Sequence, residues 1–268
     1  MNYKLLFPTY RNRYLFVRNQ LRAYQPADGF PRVLNLGTGE GDYDPMILPA
    51  AQELVSCDIN ERDIQFARQL NAGLEHLEYR VENALDLSFP DNSFDLVISV
   101  DVLEHVGQPE QMVAEVSRIL KPGGRAFITF PNLEFPWTYD PINRVLGLFT
   151  KRKIPQGAYA FGHAYLVSGQ QFRGWAAKYG LGIVEERKLS QHLVALLEMY
   201  WTGIIQRLFK DNAGNIAEDV DAKKVRLRPS TQAPKLVAVT DTLIGLDRLL
   251  FGWSKRAVGK GFVVQKKS

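Results

Sequence analysis

The 268-residue sequence predicts an α/β fold: a mostly parallel sheet of seven strands, an N-terminal helix, and a helical insertion between strands 6 and 7. Three observations carry that prediction. Short apolar runs alternate with amphipathic helical stretches from residue 31 to residue 189, as parallel βαβ units require. The run Val33-Leu34-Asn35-Leu36 breaks into Gly37, Gly39 and Gly41, the pattern of a buried strand delivering a glycine loop. About 70 residues then separate strand 6 from strand 7, far more than a turn needs. The expected organisation is an N-terminal helical segment (1–30), the sheet domain (31–189 with 259–268) and the insertion (190–258).

Tyr10, Tyr14, Val17 and Leu21 recur at helical spacing with the arginines mostly off that stripe. They predict an amphipathic helix lying on the sheet with a solvated basic face; the alternative is an element that grips substrate or touches lipid. After the glycine loop, Asp44-Pro45 suits a helix start, the aspartate capping free amides and the proline in the first turn. Glu53–Asp58 reads as strand 2. Asn60, with Asp63 three residues on, caps a helix lined by Ile64, Ala67 and Leu70 and ended by Gly73.

Glu78–Val81 and Phe94–Val100 are strands 3 and 4, the latter apolar enough for the middle of a sheet. A helix follows over 109–120, with Val113, Val116 and Leu120 inward. Lys121-Pro122-Gly123-Gly124 signals a turn before strand 5, Arg125–Phe130. Ser168 and Gln171 form a capping box for a helix carrying Phe172, Trp175 and Tyr179, stopped by Gly180. Strand 6 is Gly182–Leu189 and strand 7 is Gly261–Gln265. The insertion holds two apolar helical stretches, Leu193–Phe209 and Leu236–Trp253.

Composition narrows the class. Hydrophobic residues make up 46% of the chain, enough for a sizeable core. One cysteine, Cys57, excludes an internal disulfide and suits a reducing compartment. No stretch has the length and charge-free character of a membrane span, so the expectation is a cytoplasmic protein, soluble or at the inner membrane surface. The net charge of +4 resides in residues 1–30, where Lys4, Arg11, Arg13, Arg18 and Arg22 face only Asp28. The balanced remainder argues against a nucleic-acid partner.

Glycine spacing then separates two ligand classes. Dinucleotide sites want Gly-x-Gly-x-x-Gly, but the third position here is Asp42, whose charge would repel a pyrophosphate. The actual order is Gly-x-Gly-x-Gly. With the strand before it, this resembles motif I of the class I S-adenosylmethionine-dependent methyltransferases. Ser88-Phe89-Pro90-Asp91-Asn92-Ser93-Phe94-Asp95-Leu96-Val97, Val102-Leu103-Glu104-His105-Val106 and Leu120-Lys121-Pro122-Gly123-Gly124 resemble the ubiquinone-biosynthesis-like, small-molecule branch (methyltransferase type 11) over roughly residues 32–132. The weaker His163 to Gly182 segment is similar to the region before strand 6 in that branch.

The resemblance implies a Rossmann-like sheet with an antiparallel last strand and S-adenosyl-L-methionine as cofactor. It places the cofactor on Asn35, Gly37, Thr38, Gly39, Gly41, Asp58, Ile59, Asn83, Ala84 and Val100. Asp58 stands where the family holds the ribose hydroxyls, both of which a carboxylate can accept. Asn83-Ala84 stands where the family meets the adenine edge, with Asp86 as a competitor. Asn35 departs from the pattern, since motif I usually begins with an acid that orders the loop. Glu40, Asp42 and Asp44 are near enough in sequence to replace it.

Methyl transfer from a sulfonium is an in-line displacement, so the protein's main tasks are alignment and water exclusion. A base is needed only where the acceptor holds its proton tightly. His105, after strand 4 at the carboxyl edge of the sheet, and His163, in an aromatic and glycine-rich stretch after strand 5, are the catalytic candidates; the alternative for each is a loop anchor. His76 and His192 carry no expected role. The histidines and the cysteine show no metal-ligand spacing.

Acceptor specificity is expected from the N-terminal helix, the aromatic segment Leu133–Gly162 and the insertion. Apolar helices beside Arg226, Arg228, Arg248, Lys255 and Arg256 suit either a helical hairpin packed on itself or a peripheral membrane contact. The expected acceptor is a small molecule, lipid-linked intermediate or cell-envelope glycan. Two other readings stay open: a non-catalytic cofactor-binding or scaffold protein, and an NAD-dependent oxidoreductase, which would share the sheet and Asp58.

Overall fold

The computed structural model describes residues 2–134, 145–150, 166–198 and 232–268. The predicted sheet is present, with seven strands in the order β3-β2-β1-β4-β5-β7-β6. In chain order these are β1 (Phe30–Leu36), β2 (Ala51–Asp58), β3 (Leu77–Val81), β4 (Phe94–Val100), β5 (Leu120–Pro131), β6 (Leu181–Leu189) and β7 (Gly259–Lys266). β1 pairs in parallel with β2 and β4, β2 with β3, and β4 with β5. β7 runs antiparallel to both of its neighbours, β5 and β6.

Two apolar layers sandwich the sheet, because successive strand residues point to opposite faces. Leu34 and Leu36 face α4 (Pro109–Ile119) and α5 (Gly169–Lys178), where Met112, Val116 and Phe172 close the larger core. Val33, Leu54 and Ile98 face α1 (Pro8–Tyr24), which contributes Phe16, Val17 and Leu21. Asn35 shares the α1 side with Val33, which sends the glycine loop's support toward that helix. α5 begins with the predicted capping box, both reciprocal bonds present.

Five local expectations change. The basic face of α1 is not solvated: Arg11 and Arg13 are buried, and only Arg18 and Arg22 reach outward. Arg11 makes a two-pronged pair with Asp241, at 2.8 and 2.9 Å, on α6 (Val237–Phe251). An ion pair whose aspartate is this open contributes about 1 kcal/mol or less, against roughly 1.5–3 kcal/mol for each large apolar side chain buried beneath the helix. The apolar stripe therefore holds α1, and the arginines set what lies on top of it.

The helix at Asp44-Pro45, α2 (Asp44–Ile47), is one turn long, and the aspartate caps no amide. The next helix, α3 (Glu61–Leu70), starts at Asn60 as expected but ends on Asn71 rather than Gly73. Lys121-Pro122-Gly123-Gly124 lies within β5 as a bulge: Leu120 pairs with Phe94 and Arg125 with Leu96, so four residues loop out and Gly123 takes φ +79°. Leu120, expected on the inner face of a helix, is the first residue of β5.

The chain's second half returns onto α1. Residues 192–198 are helical, and Asp247 of α6 caps their start by accepting the N–H groups of Leu193 at 2.8 Å and Val194 at 3.3 Å. The Lys188 ammonium donates to the Gly252 carbonyl at 2.8 Å, meeting the negative end of α6. Thr240 of α6 donates to the Leu6 carbonyl at 3.1 Å, in the single 3₁₀ turn Tyr3–Leu6 that precedes α1. The expected stretch Leu193–Phe209 is described only as far as residue 198, and most of the aromatic segment Leu133–Gly162 lies outside the described residues.

Candidate active site

The glycine loop leaves the end of β1 and crosses the carboxyl edge of the sheet. Gly37, Gly39 and Gly41 all have positive φ, at +79°, +54° and +80°. Their surroundings differ. A Cβ on Gly37 would lie 2.2 Å from Val102, and one on Gly41 would lie 2.8 Å from both Asn71 and Tyr79, so these two glycines permit packing. Nothing lies within 4 Å of a Cβ on Gly39. That residue turns its bare face to open space, as a ligand cradle needs.

Beneath the loop sits Asp44, fully buried. Its carboxylate accepts from Asn35 Nδ2 at 2.7 Å, Ser56 Oγ at 2.7 Å, Tyr79 OH at 2.6 Å and the Thr38 hydroxyl at 3.1 Å. Burial pushes this carboxyl above the ordinary range, and the four donors pull it back. Four polar side chains thus converge on its two oxygens. Asn71 ties the same cluster to the loop, donating to the Gly41 carbonyl at 3.3 Å and to Tyr79 OH at 2.7 Å. The acid absent from position 35 is thus supplied by position 44, and Asn35 is its donor.

Asp58 closes the other side. One oxygen accepts the Gly39 N–H and the other the Asn60 N–H, both at 2.9 Å, which leaves further lone pairs on each for sugar hydroxyls. Gly37 and Thr38 donate their N–H groups to the Cys57 carbonyl at 2.8 and 2.9 Å, fixing the loop to the end of β2. Ile59 stands next to Asp58 with its side chain 69% exposed, an apolar face beside a polar grip. Asn83 occupies the turn after β3 and uses its Oδ1 to accept the Leu85 N–H at 3.0 Å; Ala84 behind it is buried. Val100 ends β4, one residue beyond Ser99, which pairs with Leu36 of β1. The open face at Gly39, the spare capacity of Asp58 and the exposed Ile59 together fit an adenosine-bearing ligand.

Over this cradle lies a lid made of the 3₁₀ turn, α1 and residues 192–198. Lys4 pairs with Asp42 and lies 3.6 Å from Glu40, two acids of the glycine loop itself. Burial alone would lower the Lys4 ammonium, but the two carboxylates outweigh it and hold it above its usual value. Glu40 and Asp42, expected as candidate replacements for the acid absent at position 35, are therefore already matched to a lysine. The rings of Tyr10 and Tyr14 of α1 lie tilted against Tyr43, each with centroids 5.6 Å from it, and the Tyr43 hydroxyl is buried without a hydrogen-bond partner.

Behind Tyr43, three carboxyls gather round one guanidinium. Asp101 follows β4 directly with φ +54°, a conformation that costs a non-glycine residue of order 1 kcal/mol or more. It is held by its own N–H to the Thr129 carbonyl, by the Thr129 hydroxyl at 2.9 Å, and by Arg13. Glu198 accepts the Thr9 N–H at 3.0 Å and the Thr9 hydroxyl at 2.7 Å, and burial raises it to about 7. Glu104 is wholly buried, and neither of its oxygens has a hydrogen-bond partner. Burial first, and Asp101 second, push its carboxyl well above the ordinary range, so it is held as the neutral acid.

His105 points outward from the turn after β4, exposed, while its neighbour Glu104 points in. His163 lies outside the described residues. Among the described residues, no group of His, Cys, Asp and Glu is arranged to hold a metal ion. Sequence reading missed Arg13, Asp101 and Glu198. Only Asp101, immediately after a strand end, carried any local signal. A cavity of about 450 Å³ lies elsewhere, between α4 and α5, lined by Glu110, Gln171, Trp175 and Tyr179 among others. No residue of the glycine loop borders it.

Comparison with known proteins bears on the site directly. The sequence profile of a family described as a methyltransferase domain matches residues 34–128, the stretch from β1 to β5 that carries the cradle. A demethylmenaquinone methyltransferase of Clavibacter sepedonicus is 30% identical over 188 residues, covering 65% of this chain and 75% of that protein. The chain belongs to the class I S-adenosylmethionine-dependent methyltransferases. A ubiquinone biosynthesis O-methyltransferase of Mesorhizobium japonicum is 28% identical over 165 residues, covering 56% of this chain and 63% of its own length. This methyltransferase uses S-adenosyl-L-methionine as its cofactor, and its sequence similarity lies with the quinone-biosynthesis type. The crystal structure of the (4+2)-cyclase SpnF superposes with a TM-score of 0.60 at 16% identity, covering 94% of this chain and 80% of SpnF, a likeness of fold. No helix among the described residues is long and apolar enough to cross a membrane.

Proposed function

We propose that this methyltransferase acts by in-line transfer on a small-molecule acceptor that is lipid-linked or part of a cell-envelope glycan, met at a cytoplasmic membrane surface. The observation that carries this reading is the lid: α1 and residues 192–198 wall off the carboxyl edge beside the glycine loop and present buried carboxyls there. A relative acting in demethylmenaquinone methylation and one acting in ubiquinone biosynthesis support a ring-bearing acceptor.

Bound S-adenosylmethionine supplies an electrophilic methyl group on a sulfonium. The chain does the rest. Asn35, Thr38 and Asp44 hold the loop of Gly37, Gly39 and Gly41 in shape; Asp58 takes the ribose hydroxyls; Ile59 lies along the adenine, whose edge meets Asn83 and Ala84; Val100 supports the methionine portion. The lid excludes water from the transfer path. His105 takes the proton of the acceptor, with His163 as the second candidate.

Incubation with methyl-labelled cofactor and a membrane lipid extract, followed by mass spectrometry, tests the reading. The expected product carries one added methyl group in the lipid fraction. Cofactor binding without any labelled lipid or glycan would overturn the acceptor class. His105→Ala is expected to lower kcat at least tenfold with little change in cofactor affinity; an unchanged kcat would remove His105 from catalysis.

A further inference from the structure

α6 is amphipathic in the reverse sense. Its inward positions are mostly polar: Thr240 donates to the Leu6 carbonyl, Asp241 pairs with Arg11, and Asp247 caps the start of helix 192–198, with Ile244 the buried apolar side chain among them. Its outward stripe is apolar, with Val239, Leu246, Leu249, Leu250 and Trp253 all exposed, the last four linked by three- and four-residue spacings. Leu249 is 78% exposed and Trp253 is 79% exposed, values that no core-packing role explains. A helix normally turns its apolar stripe to the core.

Charge follows the same division. Both acids of the stretch 235–256, Asp241 and Asp247, are spent on inward contacts. Lys235, Arg248, Lys255 and Arg256 all point outward, and none has an ion-pair partner among the described residues. An exposed apolar stripe flanked only by unpaired cations matches the interface of an anionic bilayer, where apolar side chains enter the acyl boundary and lysine and arginine meet phosphate. A self-interface or a groove for an apolar protein segment would not need four unneutralised cations around it. Trp253 at one end of the stripe suits the headgroup level, since its ring is apolar and its N–H is satisfied internally by the Leu250 carbonyl at 2.8 Å.

We infer that the outward face of α6 docks the protein on an anionic lipid bilayer, Leu249, Leu250 and Trp253 inserting and Lys235, Arg248, Lys255 and Arg256 contacting phosphate headgroups. This deepens the membrane-surface reading above and rests on it. Because α6 sits on α1, which forms part of the lid, docking brings the lid close to the lipid. Cations near the surface attract anionic headgroups, and salt screens that attraction.

Vesicle flotation of the full chain tests it, with phosphatidylglycerol/phosphatidylcholine vesicles compared with phosphatidylcholine alone. Wild type is expected to float with the anionic vesicles only, and less at 0.5 M salt. Leu249→Asp/Trp253→Asp and, separately, Lys255→Glu/Arg256→Glu should each cut the bound fraction at least tenfold, with melting temperature and cofactor affinity unchanged. Absence of wild-type flotation would sink the membrane reading altogether. Flotation that survives both double variants would leave that reading standing and overturn the assignment to α6. Equal flotation on both vesicle types would overturn the anionic preference, and a wild-type dimer dissociated by Leu249→Asp/Trp253→Asp without flotation would make the face a contact between copies.

Discussion

Asn35 Nδ2 donates to Asp44 Oδ1 at 2.7 Å, so the neutral residue at the end of β1 is the partner of a buried acid displaced nine positions along the chain. The site conserves a charge and moves its origin. Restoring the acid that the family pattern favours at position 35 should therefore harm the protein. Asn35→Asp would set two carboxylates against each other in a buried cluster, at a cost of roughly 2–4 kcal/mol. Expected at pH 7.5 are a melting temperature lower by several degrees and weaker cofactor binding by calorimetry, both partly recovered at pH 5.5, where the pair can share a proton. A variant as stable as wild type at pH 7.5 would contradict this account of the loop.

The three glycines should separate by experiment. Gly41→Ala places a Cβ 2.8 Å from Asn71 and Tyr79 and forces φ +80° on alanine, so it should cost at least 2 kcal/mol or so of stability. Gly39→Ala meets open space at φ +54° and should cost about 1 kcal/mol, while cofactor affinity falls at least tenfold. Thermal melting and calorimetry on both variants would give the comparison; equal affinity losses would place the ligand elsewhere along the loop.

Asp58→Ala should weaken cofactor binding about 10- to 100-fold, the worth of one or two hydrogen bonds to a charged group. Asp58→Asn keeps one acceptor and should lie between. Isothermal titration decides, and an unchanged Kd in the alanine variant would take Asp58 out of the site.

Glu198 gives a pH-dependent stability of defined sign. Its folded carboxyl titrates at about 7 against an ordinary 4.5, so the native state binds its proton more tightly than the unfolded chain does. Its contribution is most favourable below pH 4.5 and declines as pH rises through about 7. The accumulated loss reaches roughly 3 kcal/mol. Glu198→Gln keeps an oxygen for Thr9 and should remove that decline, so the variant should exceed wild type in stability at pH 8 and differ little at pH 4.5. Denaturant titrations at the two pH values check this; parallel curves for the two proteins would show that Glu198 does not titrate as a buried acid.

Much of this fold was legible in the order of residues, and the reasons are local. β4 was read residue for residue because Phe94–Val100 is an apolar run between polar turns, and the Ser168 cap because its two bonds lie three residues apart. The Lys-Pro-Gly-Gly run was read as a turn that interrupts the sheet, whereas pairing on both sides keeps it inside a strand. What a sequence hides is convergence across long separations. Thr9 meets Glu198 across 189 residues and Arg11 meets Asp241 across 230, so no spacing rule reports them. α6 was ambiguous for another reason: an apolar stripe suits a packed face and a membrane contact alike, and only the inward contacts of Asp241 and Asp247 reveal which side is out.

β7 lies between β5 and β6 and is hydrogen-bonded to both, although it is the last of the seven strands along the chain. While the protein is being synthesised, β5 and β6 therefore have no bridge between them until residues 259–266 emerge from the ribosome. Closure of the sheet between β5 and β6 waits for those residues. A nascent chain arrested before residue 259 should be protease-sensitive and unable to retain cofactor, whatever the quality of its glycine loop.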